Sequence, residues 1–339
     1  MLKELAGAIV LTAGALTVGA LTVGVLAVAG PAFAQTPAAQ AWPQRNVRFI
    51  IPFGAGAGAD IGARLVSERL QKKWGQSIVI ENKPGGDGIV AIQAFVQAND
   101  DHVLLFAATG SFTVHPYQRE KLPYDRERDI LPIARVSNTL LGIGVPMSSG
   151  MNSLKDAVER ARKEPGKMNV ALVPGLTEFV YDGFVHGEKL NMVKVPYRDI
   201  VQAGTDVGED RIQFMMASVA ILQPGISGGR IKLIALNGKS RNEQMAPGVA
   251  TVREAGFPSL EFDGLVGLLG PKMMSLELRK RIGDDVIEAA RDPDVAKRLT
   301  ATMQVVNPGG PEEFGRAMKE QADQIAGIAK TLGIPLKAQ

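Results

Sequence analysis

The chain has 339 residues, with 38 Lys and Arg against 35 Asp and Glu, and it contains no cysteine. This near balance of charge, without a basic run, argues against nucleic acid as a partner. The lack of cysteine excludes a disulfide framework and a lipid attached through cysteine. The length is sufficient for two domains.

An apolar segment opens the chain. No charged residue occurs in the range Leu5–Gln44, and Lys3 precedes it. The helix-breaking pair Gly30-Pro31 is followed by Ala32-Phe33-Ala34, a small-x-small cleavage site. This pattern predicts a signal peptide, residues 1–34, cleaved after Ala34, and a periplasmic mature chain with a disordered lead at residues 35–44. Because the apolar run is long enough to cross a bilayer, an uncleaved membrane anchor is the alternative.

The stretch from Val47 to Arg64 predicts an anion-binding loop. Val47–Ile51 is a short apolar run typical of a buried strand, and Pro52 marks its end. Asp60 is predicted as the N-cap of a helix that continues to Trp74. Between the end of this strand and the start of this helix, free backbone amides and the helix dipole would both point to one spot, where an anion could bind. The predicted ligand contacts in this loop are Phe53, Gly54, Ala55, Gly56, Ala57, Gly58 and Asp60.

The same loop has two other interpretations. Gly54–Ala59 fits the dinucleotide fingerprint G-x-G-x-x-G/A, and Glu81 ends the next predicted strand, where a ribose-binding acid would stand. This rival hypothesis is a dinucleotide-binding oxidoreductase. Export and the Pro-Phe pair before the first glycine weaken it. A glycine-rich turn without any ligand is the third interpretation.

Strands and helices alternate through the first third of the chain. Strands are predicted at Ser77–Glu81 and Val103–Ala107, with a helix at Ile89–Gln97 between them and a connecting loop at Pro116–Asp129. Ligands bind at the carboxyl ends of the strands in an open parallel sheet. The loops at 53–59, 84–88 and 108–113 are therefore expected to converge.

A second α/β domain is predicted to begin near Met147, because the plan of strand, small loop and helix repeats there. Its predicted elements are a helix capped by Ser153 and strands at Lys167–Val173, Met192–Pro196, Arg211–Met216 and Ile231–Leu236. Extended runs at Ile130–Val136 and Leu140–Val145 precede it, and Glu261–Gly270 returns to the first domain. Helices are then predicted at Leu276–Arg291, Asp294–Met303 and Pro311–Leu332.

These elements predict an α/β fold of two domains joined by a two-strand hinge, with the ligand cleft between them. Domain 1 is discontinuous, residues 45–146 and 264–339, and domain 2 is residues 147–263.

Several segments of the sequence are characteristic when they are taken together. They are Trp42-Pro43, Val47–Gly54, Asp60–Arg64, Gly75-Gln76, Val79–Gly86, Lys121–Asp125, Pro165–Lys167, Val195–Tyr197 and Val252–Gly256. They occur in order along most of the mature chain. These segments resemble the Bug receptors, the periplasmic solute-binding proteins of tripartite tricarboxylate transporters.

The resemblance implies a type II periplasmic binding-protein fold. It also implies a small carboxylate ligand, held largely by backbone amides and water, and delivery of that ligand to the permease subunits of a tripartite transporter. By position it adds further ligand-binding residues. They are Thr109, Gly110 and Ser111 in domain 1, and Gly175, Thr177, Tyr197 and Ser218 in domain 2. By analogy the receptor is expected to be a monomer.

The chain departs from the family pattern in its second domain. Pro174–Thr177 and Met216–Ser218 are more apolar than is typical. We therefore expect a carboxylate with an apolar or aromatic body.

No cofactor, metal or catalytic residue is predicted. The three histidines, His102, His115 and His186, are scattered, and no H-E-x-x-H motif occurs. No serine stands in a G-x-S-x-G elbow. The sequence therefore favours a binding protein over an enzyme.

Overall fold

The computed structural model describes residues 42–197 and 200–337. The predicted signal peptide, its cleavage site after Ala34 and nearly all of the predicted lead lie outside the described residues. Within the described residues, no helix is both long and apolar enough to cross a membrane.

Eleven strands are assigned within the described residues. They are β1 (Val47–Ile51), β2 (Ile78–Asn82), β3 (Val103–Ala108), β4 (Ile130–Thr139), β5 (Leu141–Pro146), β6 (Asn169–Leu172), β7 (Val193–Lys194), β8 (Phe214–Ser218), β9 (Ile231–Leu236), β10 (Gly264–Pro271) and β11 (Gln304–Gly309).

Eleven α-helices are assigned in the same part of the chain. They are α1 (Gly58–Trp74), α2 (Ile89–Ala98), α3 (Gly110–Gln118), α4 (Arg126–Asp129), α5 (Leu154–Lys163), α6 (Leu176–Gly187), α7 (Ile200–Gly208), α8 (Val219–Ser227), α9 (Leu276–Arg291), α10 (Pro293–Ala301) and α11 (Pro311–Thr331).

Two mixed sheets form the framework of residues 43–339, which make one compact unit. The first sheet has the order β11-β4-β10-β3-β1-β2, with β1 parallel to β2 and β3. Strand β10 is antiparallel to both β3 and β4. The second sheet has the order β7-β6-β8-β5-β9. The predicted two-part α/β fold is confirmed.

The chain passes between the sheets twice. The strands β4 and β5 lie in different sheets and are separated by Leu140 alone, and residues 237–263 connect β9 to β10. These crossings are the predicted two-strand hinge. Strand pairing changes sheet at Leu140, earlier than the boundary at Met147, and the domain boundaries themselves stay a prediction.

We call the six-stranded sheet with its helices, α3 and α11 among them, the first half, and the five-stranded sheet with its helices the second half. Helix α6 of the second half packs against two helices of the first half. Tyr117 of α3 and Phe179 of α6 have ring centroids 5.8 Å apart. On the neighbouring face, a Cβ placed on Gly183 would lie 2.8 Å from Ile328 Cγ2 of α11. These contacts bring the amino end of α6 toward the loops that follow β1, β2 and β3.

Two local predictions were wrong, and one strand was missed. The predicted loop Pro116–Asp129 contains the end of α3 and all of α4, and β11 was not predicted. Asp60 is not an N-cap: α1 begins at Gly58 with Ala57 as its cap, and Asp60 stands in the first turn.

Candidate functional site

The loops after β1, β2 and β3 converge at one edge of the first sheet. A Cβ placed on Gly88 would lie 3.2 Å from Pro52 Cβ, so the loop after β2 crosses the end of β1. A Cβ on Gly110 would lie 2.9 Å from Leu176 Cδ2, which brings the second half to the same place. The predicted convergence of the loops at 53–59, 84–88 and 108–113 is confirmed.

The loop from Phe53 to Gly58 presents backbone amides. The Gly56 amide donates to Asp60 Oδ2 at 2.9 Å, and the Ala57 amide donates to the Gly54 carbonyl at 3.2 Å. Within the described part of the chain, no residue accepts a hydrogen bond from the amide of Gly54, Ala55 or Gly58. Residues 54–56 are exposed, and Gly56 has φ +87°, a left-handed conformation that favours glycine.

Asp60 fixes the shape of this loop from below. It is 1% exposed, and its Oδ2 accepts from the Gly56 amide and from Arg64 Nε at 3.0 Å. Its Oδ1 accepts from Asn82 Nδ2 at 2.8 Å, and the same Nδ2 donates to the Phe53 carbonyl. Burial opposes ionisation, but the hydrogen bonds from Arg64, Asn82 and Gly56 outweigh it and lower the pKa of Asp60. Both carboxylate oxygens of Asp60 are thus occupied within the protein.

Gln304 closes the back of the loop. A Cβ on Gly58 would lie 2.8 Å from Gln304 Nε2. Gln304 is buried on β11, and its Oε1 accepts from Ser137 at 3.0 Å. Sequence reasoning missed this residue because β11 was not predicted.

The second glycine-rich turn carries Asp87, which the sequence analysis did not select. Its Oδ1 accepts from Ser111 Oγ at 3.2 Å, and its Oδ2 lies 3.1 Å from His115 Nε2. His115 Nδ1 lies 2.6 Å from the Tyr124 hydroxyl. A Cβ placed on Gly175 would lie 3.4 Å from Asp87 Oδ2. Asp87 therefore links the loops after β2 and β3 and lies close to Gly175 of the second half.

Three other predicted side chains, those of Thr109, Tyr197 and Ser218, have hydrogen-bond partners within their own half. Thr109 is buried and its hydroxyl donates to Gln321 of α11 at 2.8 Å. The Tyr197 hydroxyl donates to Asp206 at 2.6 Å, and burial together with this hydrogen bond raises the pKa of Tyr197 to about 12. Ser218 Oγ accepts from the Ala220 amide at the start of α8. Thr177 is buried in the first turn of α6.

Glu81, the residue that would bind ribose in a dinucleotide site, pairs with a neighbouring strand. Glu81 receives two hydrogen bonds from Arg48, at 2.6 and 2.9 Å, and these lower its pKa. This pairing leaves Glu81 as a partner of Arg48 on the neighbouring strand and gives no support to a role in ribose binding.

One set of residues in the described part of the chain has the spacing of a metal site. Asp100, Asp101 and His102 offer ligand atoms within 4.8 Å of one another. Arg45 already pairs with Asp100 at 2.6 Å, and the Gln44 amide donates to His102 Nε2 at 3.2 Å. These contacts tie the start of the unit to the β3 edge.

Comparison with known structures defines the class of protein. The chain is similar to a protein described as a periplasmic transporter, with a TM-score of 0.75 and 29% identity, covering 87% of this chain and 100% of that one. It is also similar to the periplasmic binding protein BugD, with a TM-score of 0.70 and 23% identity, over 88% of this chain and 100% of that one. The fold is that of a periplasmic binding protein.

The family follows from the sequence. Residues 62–334 match the model of the tripartite tricarboxylate transporter family receptor. A UPF0065 protein of Bordetella bronchiseptica is 28% identical over 301 residues, covering 88% of this chain and 89% of that protein. The protein BugT of Bordetella pertussis is 22% identical, over 88% and 93% of the two chains. The chain belongs to the tripartite tricarboxylate transporter receptor family, and the resemblance seen in its motifs is confirmed.

Proposed function

We propose that this receptor captures a small carboxylate between its two halves and delivers it to the permease subunits of a tripartite transporter. The observation that carries the proposal is the loop from Phe53 to Gly58. Its exposed amides lie at the amino end of α1, a helix of 17 residues whose dipole favours an anion. Asp60 is buried beneath them with its charge compensated by Arg64, and it accepts from the Gly56 amide alone, so the Gly54, Ala55 and Gly58 amides are left to a ligand.

The opposing wall is built by the second half. Gly175 and Leu176 lie beside Asp87 and Gly110 of the first half. A ligand bound to the loop from Phe53 to Gly58 would therefore contact loops of both sheets. Such a ligand would bridge the halves and favour their approach, as in hinge closure around ligands. The site residues proposed are those of the sequence analysis, but the positions of Thr109 and Tyr197 favour roles in supporting the loops.

Two structural relatives contain carboxylates. They are described as Rpa4515 of R. palustris with adipate and MatC of Rhodopseudomonas palustris with malate. They support a carboxylate ligand for this receptor. The apolar second-half wall, with Leu176 at the contact, supports the narrower proposal of a carboxylate with an apolar or aromatic body.

The remaining parts of the proposal concern the cellular setting. We infer a periplasmic receptor, monomeric and without catalytic activity, released by cleavage after Ala34. The amino-terminal sequence of the exported protein tests the cleavage: a mature chain beginning at Gln35 supports it, and a chain retaining Lys3 and the apolar run supports an anchor instead.

Gly54→Leu tests the binding site without disturbing the fold. A Cβ on Gly54 meets no atom within 4 Å, and the same is true of Gly327 on α11, so Gly327→Leu is a matched control. Melting temperature is measured with and without a panel of mono-, di- and tricarboxylates. A ligand at about 100 times its Kd adds about 2.7 kcal/mol to the stability of the folded state.

We expect at least one carboxylate to stabilise the wild type and Gly327→Leu, and to have little effect on Gly54→Leu. Equal stabilisation of all three proteins would place the ligand elsewhere. Stabilisation by a nicotinamide dinucleotide, lost in Gly54→Leu, would contradict the proposal and favour the oxidoreductase. Preference for citrate over every monocarboxylate would refute the apolar body of the ligand.

A further inference from the structure

Asp87 places a carboxylate at the junction of the two halves. Its side chain is 31% exposed, and it faces Gly175 across the junction. Asp87 has φ +57°, a conformation that few residues other than glycine adopt readily. Gly85, Gly86 and Gly88 around it also have positive φ. The turn therefore fixes the direction of this side chain.

The partners of Asp87 are Ser111 and His115, and they hold its carboxylate in place. An ionised carboxylate can only accept hydrogen bonds, so His115 Nε2 carries the proton of the bond to Oδ2. His115 Nδ1 lies 2.6 Å from the Tyr124 hydroxyl. Burial, followed by the charge of Asp87, raises the pKa of Tyr124, which keeps that hydroxyl protonated. Ser111 Oγ supplies a second hydrogen bond, to Oδ1 of Asp87.

Asp87 differs from the carboxylates around it in the kind of residue with which it pairs. Asp60 is paired with Arg64, and Glu81 with Arg48 and Lys83. Over residues 42–197 and 200–337, no Lys or Arg forms an ion pair with Asp87, and its ionisable partner is His115, whose Nε2 lies 3.1 Å from Oδ2. Each carboxylate oxygen has accepted one hydrogen bond and retains a further lone pair. An exposed anion with unused acceptors is a suitable partner for a cation brought by a ligand.

We propose that Asp87 binds an ammonium group, and that the ligand of this receptor is an amino carboxylate. The inference rests on the proposed function and makes it more specific. The amides of the Phe53–Gly58 loop receive the carboxylate of the ligand, and Asp87 receives its ammonium group. A simple carboxylate would bring a second negative charge toward Asp87, which is unfavourable. An amino carboxylate finds hydrogen-bond donors for its carboxylate in the loop and an opposite charge for its ammonium group in Asp87.

Matched pairs of compounds test this proposal on the full mature chain. Each α-amino acid, together with 4-aminobutyrate and 5-aminopentanoate, is titrated beside the acid that lacks its amino group, for example leucine beside 4-methylpentanoate. A charged hydrogen bond distinguishes the members of a pair by about tenfold to a hundredfold in Kd. We expect at least one amino member to bind the wild type that much more tightly than its partner.

The proteins compared are the wild type, Asp87→Asn, Asp87→Gly and a surface control. Asp87→Asn keeps the size of the side chain, and Asp87→Gly removes it at a φ that glycine adopts without strain. The control is Asp323→Asn, whose carboxylate pairs with Lys319 on α11. Both Asp87 variants should lose the preference for the amino member, and Asp323→Asn should keep it.

The outcomes separate this inference from the proposed function. If acids without an amino group bind the wild type as tightly as their partners, or more tightly, the ammonium site is refuted and the carboxylate receptor stands. If the amino member keeps its advantage in both Asp87 variants, its ammonium group binds elsewhere and the inference is also refuted. If no carboxylate of any kind binds, the proposed function fails together with it.

Discussion

Asp60→Asn is expected to destabilise the folded state at neutral pH. Oδ2 of Asp60 accepts from Gly56 and Arg64, and Oδ1 accepts from Asn82. Asparagine carries one acceptor and one donor, so in either orientation its amide nitrogen faces a donor. The substitution therefore loses at least one hydrogen bond to a charged group and leaves a buried mismatch.

The magnitude follows from what each partner retains. Asn82 keeps its bond to the Phe53 carbonyl at 3.0 Å, and Arg64 is 47% exposed and can return to water. Hydrogen bonds to charged groups contribute about 1.5–3 kcal/mol each, so we expect a loss of about 1.5–3 kcal/mol in the free energy of unfolding. Asp323→Asn, at an exposed ion pair on α11, is expected to cost about 0–1 kcal/mol.

The effect should depend on pH in one direction. The pKa of Asp60 is lower in the folded state than its ordinary value, so the folded protein binds this proton less readily than the unfolded chain. Its contribution is then complete above the unfolded pKa, about 3.9, and is lost as the pH falls through the lower folded pKa. Urea unfolding at pH 7 and at pH 3 measures both values. Equal stability of wild type and Asp60→Asn at pH 7, or a difference that stays constant down to pH 3, would refute this account.

Two further predictions concern the positions around the site. Tyr197→Phe removes the hydrogen bond to Asp206 and should lower the free energy of unfolding by about 0.5–1.5 kcal/mol, while the Kd of the ligand found in the carboxylate screen stays within about twofold. A larger loss of binding would show that the hydroxyl contacts the ligand. Gly267→Ala places a Cβ 2.4 Å from the Ala134 carbonyl oxygen and 2.7 Å from Phe314 Cε1. Overpacking of this kind lowers the free energy of unfolding by about 1–3 kcal/mol or more, which urea unfolding measures. A urea midpoint equal to that of the wild type would contradict the tight approach of β10 to β4.

The general plan was predictable because it depends on local patterns. Apolar β-rich runs bounded by glycine and proline indicated β1, β2 and β3, and parallel strands expose their carboxyl ends at one edge. The convergence of the loops follows from these two facts. The helices α9 and α11 were predicted almost to their ends. In the structure Ser275 is the N-cap of α9, and Pro311 is the first residue of α11.

The errors have physical causes that a local pattern does not show. Strand β11 contains Pro308, which argues against a strand, but β11 is at the edge of its sheet and pairs with β4 alone. A proline is tolerated there because its missing amide faces no partner strand. The register between β11 and β4 shifts between Val306 and Gly309, around this proline. Because β11 was missed, Gln304 and its contact with the loop at Gly58 were missed as well.

Asp60 and Asp87 show what the sequence could not separate. Each aspartate follows a glycine-rich turn at the same edge of the first sheet, and each could be a cap, a brace or a ligand contact. Their roles depend on partners contributed by other elements. Arg64 and Asn82 surround Asp60 and bury its charge, which makes it part of the loop's own structure. Within the described residues Asp87 has Ser111 and His115 as partners but no Lys or Arg, and it lies against Gly175 of the other half. Of the two carboxylates, only Asp87 therefore remains available to a positively charged group of a ligand.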